Sequence, residues 1–111
     1  MKHKDLIDGM LLSDVRTNGV YEFITLATRG TVVVDSYYSG HRHYINSGKL
    51  VPLDIRIEPD EDGFHAYIPS LKGCHTSGES REQAFINLKD AARAYIRSAR
   101  KHGDLQIKRG Y

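Results

Sequence analysis

The sequence of 111 residues has no tryptophan, one cysteine, two methionines and three prolines. The lone cysteine, Cys74, has no partner for a disulfide within the chain, which excludes a disulfide-stapled scaffold and leads us to expect a cytoplasmic setting. No apolar run approaches the roughly 20 residues needed to cross a bilayer, so no membrane partner is expected. The basic opening, Met1-Lys2-His3-Lys4-Asp5, is not followed by an apolar stretch, and no secretory signal is expected. Nor is there a large excess of one charge, the formal balance being +2, which by itself does not indicate nucleic acid. With 40% hydrophobic and 27% charged residues, the composition excludes a wholly disordered chain and a collagen-like fibre.

What the sequence does have is uneven charge. Residues 1–48 hold five basic and five acidic groups, whereas from Ala91 onward six basic residues face a single acid, Asp104. Between them, Asp54, Glu58, Asp60, Glu61 and Asp62 form an acidic cluster around a turn. The second half therefore reads as a dipolar module, with an acidic hairpin at one end and a basic helix at the other, either as solvated surface or as a docking surface for a charged partner.

From Lys49 onward the pattern is regular. Leu53, Ile55 and Ile57 alternate with polar residues as in a half-buried strand, until Pro59-Asp60-Glu61-Asp62-Gly63 supplies a turn. Phe64, Ala66 and Ile68 then alternate with His65 and Tyr67, completing an antiparallel hairpin, and Cys74 to Ser77 reads as a short third strand. Ser80 followed by Gln83 matches a capping box. Behind it, Ala84, Phe85, Leu88, Ala92, Tyr95, Ile96 and Ala99 form one apolar helical stripe, and Gly103 suits a C-terminal cap. Leu105 and Ile107 predict a final strand, giving the order β-β-β-α-β.

The segment Asp60-Glu61-Asp62-Gly63-Phe64-His65-Ala66-Tyr67-Ile68-Pro69-Ser70-Leu71-Lys72-Gly73-Cys74-His75-Thr76-Ser77-Gly78-Glu79-Ser80, with Asn87-Leu88 in the helix behind it, resembles the signature of HicB-type antitoxin domains. The resemblance covers about residues 50–103. It implies an α+β fold, a partial RNase H-like sheet with one helix packed on it, preceded by a β-rich extension. It also implies a non-enzymatic role: HicB-type domains bind a small HicA-type toxin, a ribonuclease, and cover its catalytic histidine. On this basis Asp60, Asp62, Phe64, Tyr67 and Pro69 are the expected toxin-binding residues. The alternative is an orphan domain without a toxin, acting as a small-molecule or RNA-binding module. Many members of the family carry a DNA-binding segment after the domain, but only Gly103 to Tyr111 follow the helix here, so none is expected.

The domains are accordingly residues 1–48 and 49–111. In the first, Leu6, Ile7, Met10 and Leu11 predict a short helix, Tyr21–Thr28 and Thr31–Tyr38 predict strands, His41–Ile45 follows a Ser39-Gly40 turn, and Asn46-Ser47-Gly48 reads as a linker. Val32, Val33 and Val34 in succession point to burial on both faces of a strand, and Tyr37, Tyr38 and Tyr44 add area of the kind enriched at interfaces. A homodimer built through residues 20–45 is expected.

Sites with chemistry of their own find little support. His41 and His43 would share a strand face but have no fixed third ligand, so neither a metal nor any other cofactor is expected. Asp54 and Glu58 share a strand, yet the helix offers only Glu82 and Asp90 to a carboxylate site, and no catalytic residue is assigned. Arg93, Arg97 and Lys101 line one helix face and provide a weak candidate for nucleic-acid contact, without interleaved aromatic residues to stack bases.

Overall fold

The computed structural model describes residues 6–17 and 19–102, with the side chains of 100–102 outside that description. Among the described residues the fold is α+β, eight strands in two antiparallel sheets and one helix, and the chain divides into two compact units, 1–53 and 54–111.

The first unit contains β1 (Leu11–Asp14), β2 (Val20–Leu26), β3 (Thr31–Ser36), β4 (Arg42–Asn46) and β5 (Leu50–Pro52), in the spatial order β4-β3-β2-β1-β5. Leu12, Phe23, Val32, Val34 and Leu50 form its core, with Tyr21 and Ile45 packed against them. Ile45 and Leu50 belong to strands at opposite ends of the sheet, so sharing one core requires the sheet to curl. A bulge between Phe23 and Thr25 in β2 assists that bend. All three consecutive valines are buried, Val33 at 5% exposure between two fully enclosed neighbours. Tyr37 is also buried and donates its hydroxyl to Glu22, whereas Tyr44 is 69% exposed.

Two expectations for this unit are corrected. Leu6 to Met10 forms no helix: Met10 closes a turn onto Ile7 with Gly9 at φ 81°, and the chain then enters β1. A single helical turn without a packed face cannot repay its nucleation, and hydrogen bonds between this segment and Phe23 replace it. Nor is Asn46-Ser47-Gly48 a linker. Ser47–Lys49 is a 3-10 turn in which the Asn46 side chain accepts the Gly48 N–H, and it leads directly into β5, paired with β1. That pairing carries the first unit to Leu53, beyond the boundary expected at 48.

The second unit contains β6 (Arg56–Asp60), β7 (Gly63–Tyr67), β8 (His75–Gly78) and α1 (Arg81–His102), with the strands in sequence order. Pro59 and Asp60 belong to β6, so the hairpin turn is tighter than the sequence suggests and centres on Glu61-Asp62. The Ser80 hydroxyl accepts the Gln83 N–H at 3.0 Å, while the Gln83 side chain turns away to Asn87 and leaves the capping box half formed. Ala84, Leu88, Ala92 and Ile96, each one turn apart, are fully enclosed, as are Ala66, Ile68 and Leu71 of the same unit. Phe85, Tyr95 and Ala99 flank this stripe half-buried. The strand expected around Leu105–Lys108 and the cap at Gly103 lie outside the described residues.

α1 approaches β8 closely because Gly78 has no side chain: a Cβ there would stand 2.4 Å from the Ala84 backbone nitrogen. Backbone cannot yield as a flexible side chain would. Gly78→Ala is therefore expected to destabilise the protein by about 1–3 kcal/mol through overpacking, and Leu88→Ala by about 2–5 kcal/mol through the cavity left behind. Urea unfolding followed by circular dichroism measures both, and an unchanged midpoint for Gly78→Ala would show that the helix is not seated where described.

Candidate functional site

Strand alternation gives the second sheet two unlike faces. Phe64, Ala66 and Ile68 point toward α1. Arg56, Glu58 and Asp60 from β6, His65 and Tyr67 from β7, and His75 and Ser77 from β8 point the other way. This second face carries the chemistry. The Tyr67 hydroxyl donates to Glu58 Oε1 at 2.9 Å, and that hydrogen bond, with burial and the carboxylate charge adding to it, pushes the phenol pKa above its ordinary value. The His65 ring lies between those of Tyr67 and His75, with centroids at 5.7 and 5.5 Å. Arg56 forms a two-pronged ion pair with Asp54 at 3.0 and 3.1 Å, holding the Asp54 carboxyl below the usual carboxylate range. At one end of the face Asp60, Glu61 and Asp62 are exposed on the hairpin turn, tied by the Asp62 N–H to Asp60 Oδ1. At the other end, His65, Tyr67, Pro69, Lys72 and His75 line an open depression of about 330 Å³.

The structure brings together part of the set expected from the sequence. Asp60 and Asp62 sit at the acidic end, Tyr67 in the middle and Pro69, exposed, at the edge of the depression. Phe64 does not join them. It lies on the α1 side, half-buried, with the Arg81 guanidinium 4.9 Å above its ring. The period of two that identified the strand also separates residue 64 from residue 67, so this much was readable in advance. By the same parity His65 and Glu58 belong with Tyr67, and His75 joins them across the β7–β8 pairing.

The basic helix face is weaker than its sequence suggests. Arg93 is bound to Asp90 at 2.9 Å, Arg97 is exposed, and Lys101 lies in α1 with its side chain outside the described residues. His43 Nε2 is 3.0 Å from Ser39 Oγ, and among the described residues no group of three or more His, Cys, Asp or Glu side chains is gathered to hold a metal ion. Among the described residues no helix is long and apolar enough to cross a membrane.

This unit is thus a small three-stranded sheet covered on one side by a helix and presenting a polar, partly acidic face on the other. A UPF0150 protein of Thermoplasma acidophilum is 47% identical over 51 residues, 45% of this chain and 74% of that protein. One of Helicobacter pylori is 44% identical over 54 residues, 49% of this chain and 67% of the relative, and one of Synechocystis is 45% identical over 45 residues, 40% and 57%. The chain belongs to the UPF0150 family. No family model matches it, and no solved structure does.

Cys74 borders the depression but is buried, and burial alone pushes its thiol pKa up. A raised pKa keeps the sulfur protonated at neutral pH and unreactive as a nucleophile. Alkylation of the native chain at pH 8 is therefore expected to be at least about tenfold slower than in denaturing urea. Equal rates, read by mass spectrometry, would mean that the depression opens onto the thiol.

Proposed function

We propose that this UPF0150 protein is a HicB-like antitoxin, whose second unit binds a small HicA-type ribonuclease toxin and neutralises it by covering its active site. The observation that carries this reading is the run of four exposed acids, Glu58, Asp60, Glu61 and Asp62, at the end of a sheet face that also presents Tyr67. A basic ribonuclease must attract RNA phosphates, and a surface that mimics that charge competes for the same groups. The sheet and α1 hold the acidic turn on a firm base, which limits the ordering cost of binding. Inhibition by occlusion requires no catalytic group, cofactor or metal from this chain.

A second reading has its own observation. The adjoining rings of His65, Tyr67 and His75, with Lys72 at the depression, resemble a platform on which an RNA base or a flat small molecule could stack. The exposed acids oppose a polyanion, so the protein partner is the stronger reading.

Co-expression with a HicA-type ribonuclease, taken from the neighbouring reading frame where that encodes a short basic protein, tests the two. The wild-type chain is expected to co-purify with it and relieve its growth arrest. Asp60→Lys combined with Asp62→Lys should weaken that complex by about tenfold or more, with a smaller dependence on salt. If no such complex forms and a single-stranded RNA oligonucleotide binds the wild type but not Tyr67→Ala, the antitoxin reading is replaced by the second.

A further inference from the structure

Each sheet ends in edge strands whose outward backbone groups invite another strand, and proteins ordinarily blunt such edges. Among the described residues, three of the four edges have at least one outward backbone group removed or occupied. In β5 the outward residues are Leu50 and Pro52, because Leu53 and Lys49 bond toward β1 and its neighbouring turn. The Leu50 N–H is taken by the Ser47 carbonyl, and Pro52 has none. In β6 the outward residues are Ile57, whose carbonyl accepts Arg81 at 3.2 Å, and Pro59, again without an N–H. In β8 the outward Ser77 carbonyl accepts the Asn87 side-chain amide at 2.8 Å.

β4 is different. The Ser36 N–H donates to the His41 carbonyl and the Ser47 N–H to the Gly30 carbonyl, which fixes the phase of the β3–β4 ladder. Residues 41, 43, 45 and 47 therefore bond inward, and Arg42, Tyr44 and Asn46 turn their N–H groups to the open edge. No hydrogen bond to these three N–H groups is formed among the described residues. The strand has no proline and no bulge, and Arg42, its one fixed charge, is paired with Asp35 at 3.1 Å. Tyr44, at its centre, is 69% exposed.

The geometry points to β4 as an interface between two copies of this chain, joined antiparallel about Tyr44. The outward residues are spaced evenly on either side of Tyr44, so a two-fold axis there matches every one of them with another outward residue. The two Tyr44 residues exchange both backbone hydrogen bonds, and each Asn46 N–H donates to the Arg42 carbonyl of the other copy. Arg42 stands opposite Asn46, so no like charges oppose each other, and the two Tyr44 rings lie side by side and cover one another. A foreign strand would find the same backbone groups, but the chain's own β4 meets this register without an unmatched group. The contact is isologous and closes on itself, so it forms a dimer and not a fibre.

Light scattering and sedimentation on the full chain across the micromolar range test this, together with Tyr44→Pro and Tyr44→Asp. Tyr44→Pro removes an N–H that the β3 ladder does not use, so the fold is expected to persist by circular dichroism. Tyr44→Asp places two carboxylates face to face at the axis. The wild type is expected at twice the monomer mass and both variants at the monomer mass. As a check that does not depend on proline, Tyr44→Cys should cross-link to its own copy under mild oxidation, since paired Cα atoms about 5.5 Å apart are within disulfide reach, whereas Arg42→Cys should not. A monomeric wild type, or a dimer that survives both Tyr44→Pro and Tyr44→Asp, overturns the proposal.

Discussion

The second unit depends on the contact between Gly78 and the backbone of α1. A sheet of three short strands cannot bury enough surface alone, and it becomes stable only when something covers one face. Because Gly78 lets the first turn of α1 lie against the end of β8, the helix sits close enough to the sheet for small residues, Ala84 and Ala92, to alternate with Leu88 and Ile96 along its buried stripe. The same seating brings Arg81 to the Ile57 carbonyl and Asn87 to the Ser77 carbonyl. One helix thus packs the core and tends both edges of its sheet. The Asn87-Leu88 pair acquires a physical meaning here: the amide holds the strand and the leucine fills the core.

Covering one face commits the other. With Phe64, Ala66 and Ile68 spent on α1, alternation sends Glu58, His65, Tyr67 and His75 to the opposite side, where only polar residues are tolerated without a partner. The acids gather at the hairpin turn because acidic side chains favour tight turns and bond their own backbone, as Asp60 does with the Asp62 N–H. The charged end of the candidate surface follows from local turn chemistry and the ring-bearing middle from strand parity. Neither requires the surface to be built apart from the fold.

Much of this unit was legible in the sequence because its signals are local. The i, i+4 run of Ala84, Leu88, Ala92 and Ile96 and the capping serine identify α1, and the alternation around Pro59–Gly63 identifies the hairpin. What was not legible depends on partners distant in the chain. Leu6 to Leu11 has the spacing of a helix, yet the Phe23 backbone draws it into the sheet. Asn46-Ser47-Gly48 has the composition of a linker, yet Leu50 is needed in the core with Leu12, which keeps the chain within the first unit. Phe64 shows the reverse case: its parity with Ala66 and Ile68, a purely local signal, places it on the α1 side and apart from His65 and Tyr67.

The two sheets also differ in how another molecule can engage them. In the second, Pro59 and Arg81 occupy backbone positions along β6 and Asn87 takes the Ser77 carbonyl of β8, while the polar face between them offers a partner side chains to read. Recognition of that kind is governed by charge and shape, which suits discrimination between partners. In the first, the β4 edge presents backbone groups that any extended chain can use, and only register and side-chain matching select what joins. A chain that leaves such an edge open either tolerates promiscuous pairing or fills the edge itself. The even spacing of Arg42, Tyr44 and Asn46 about a single exposed tyrosine favours the latter, and it keeps the two kinds of contact on separate units of the chain.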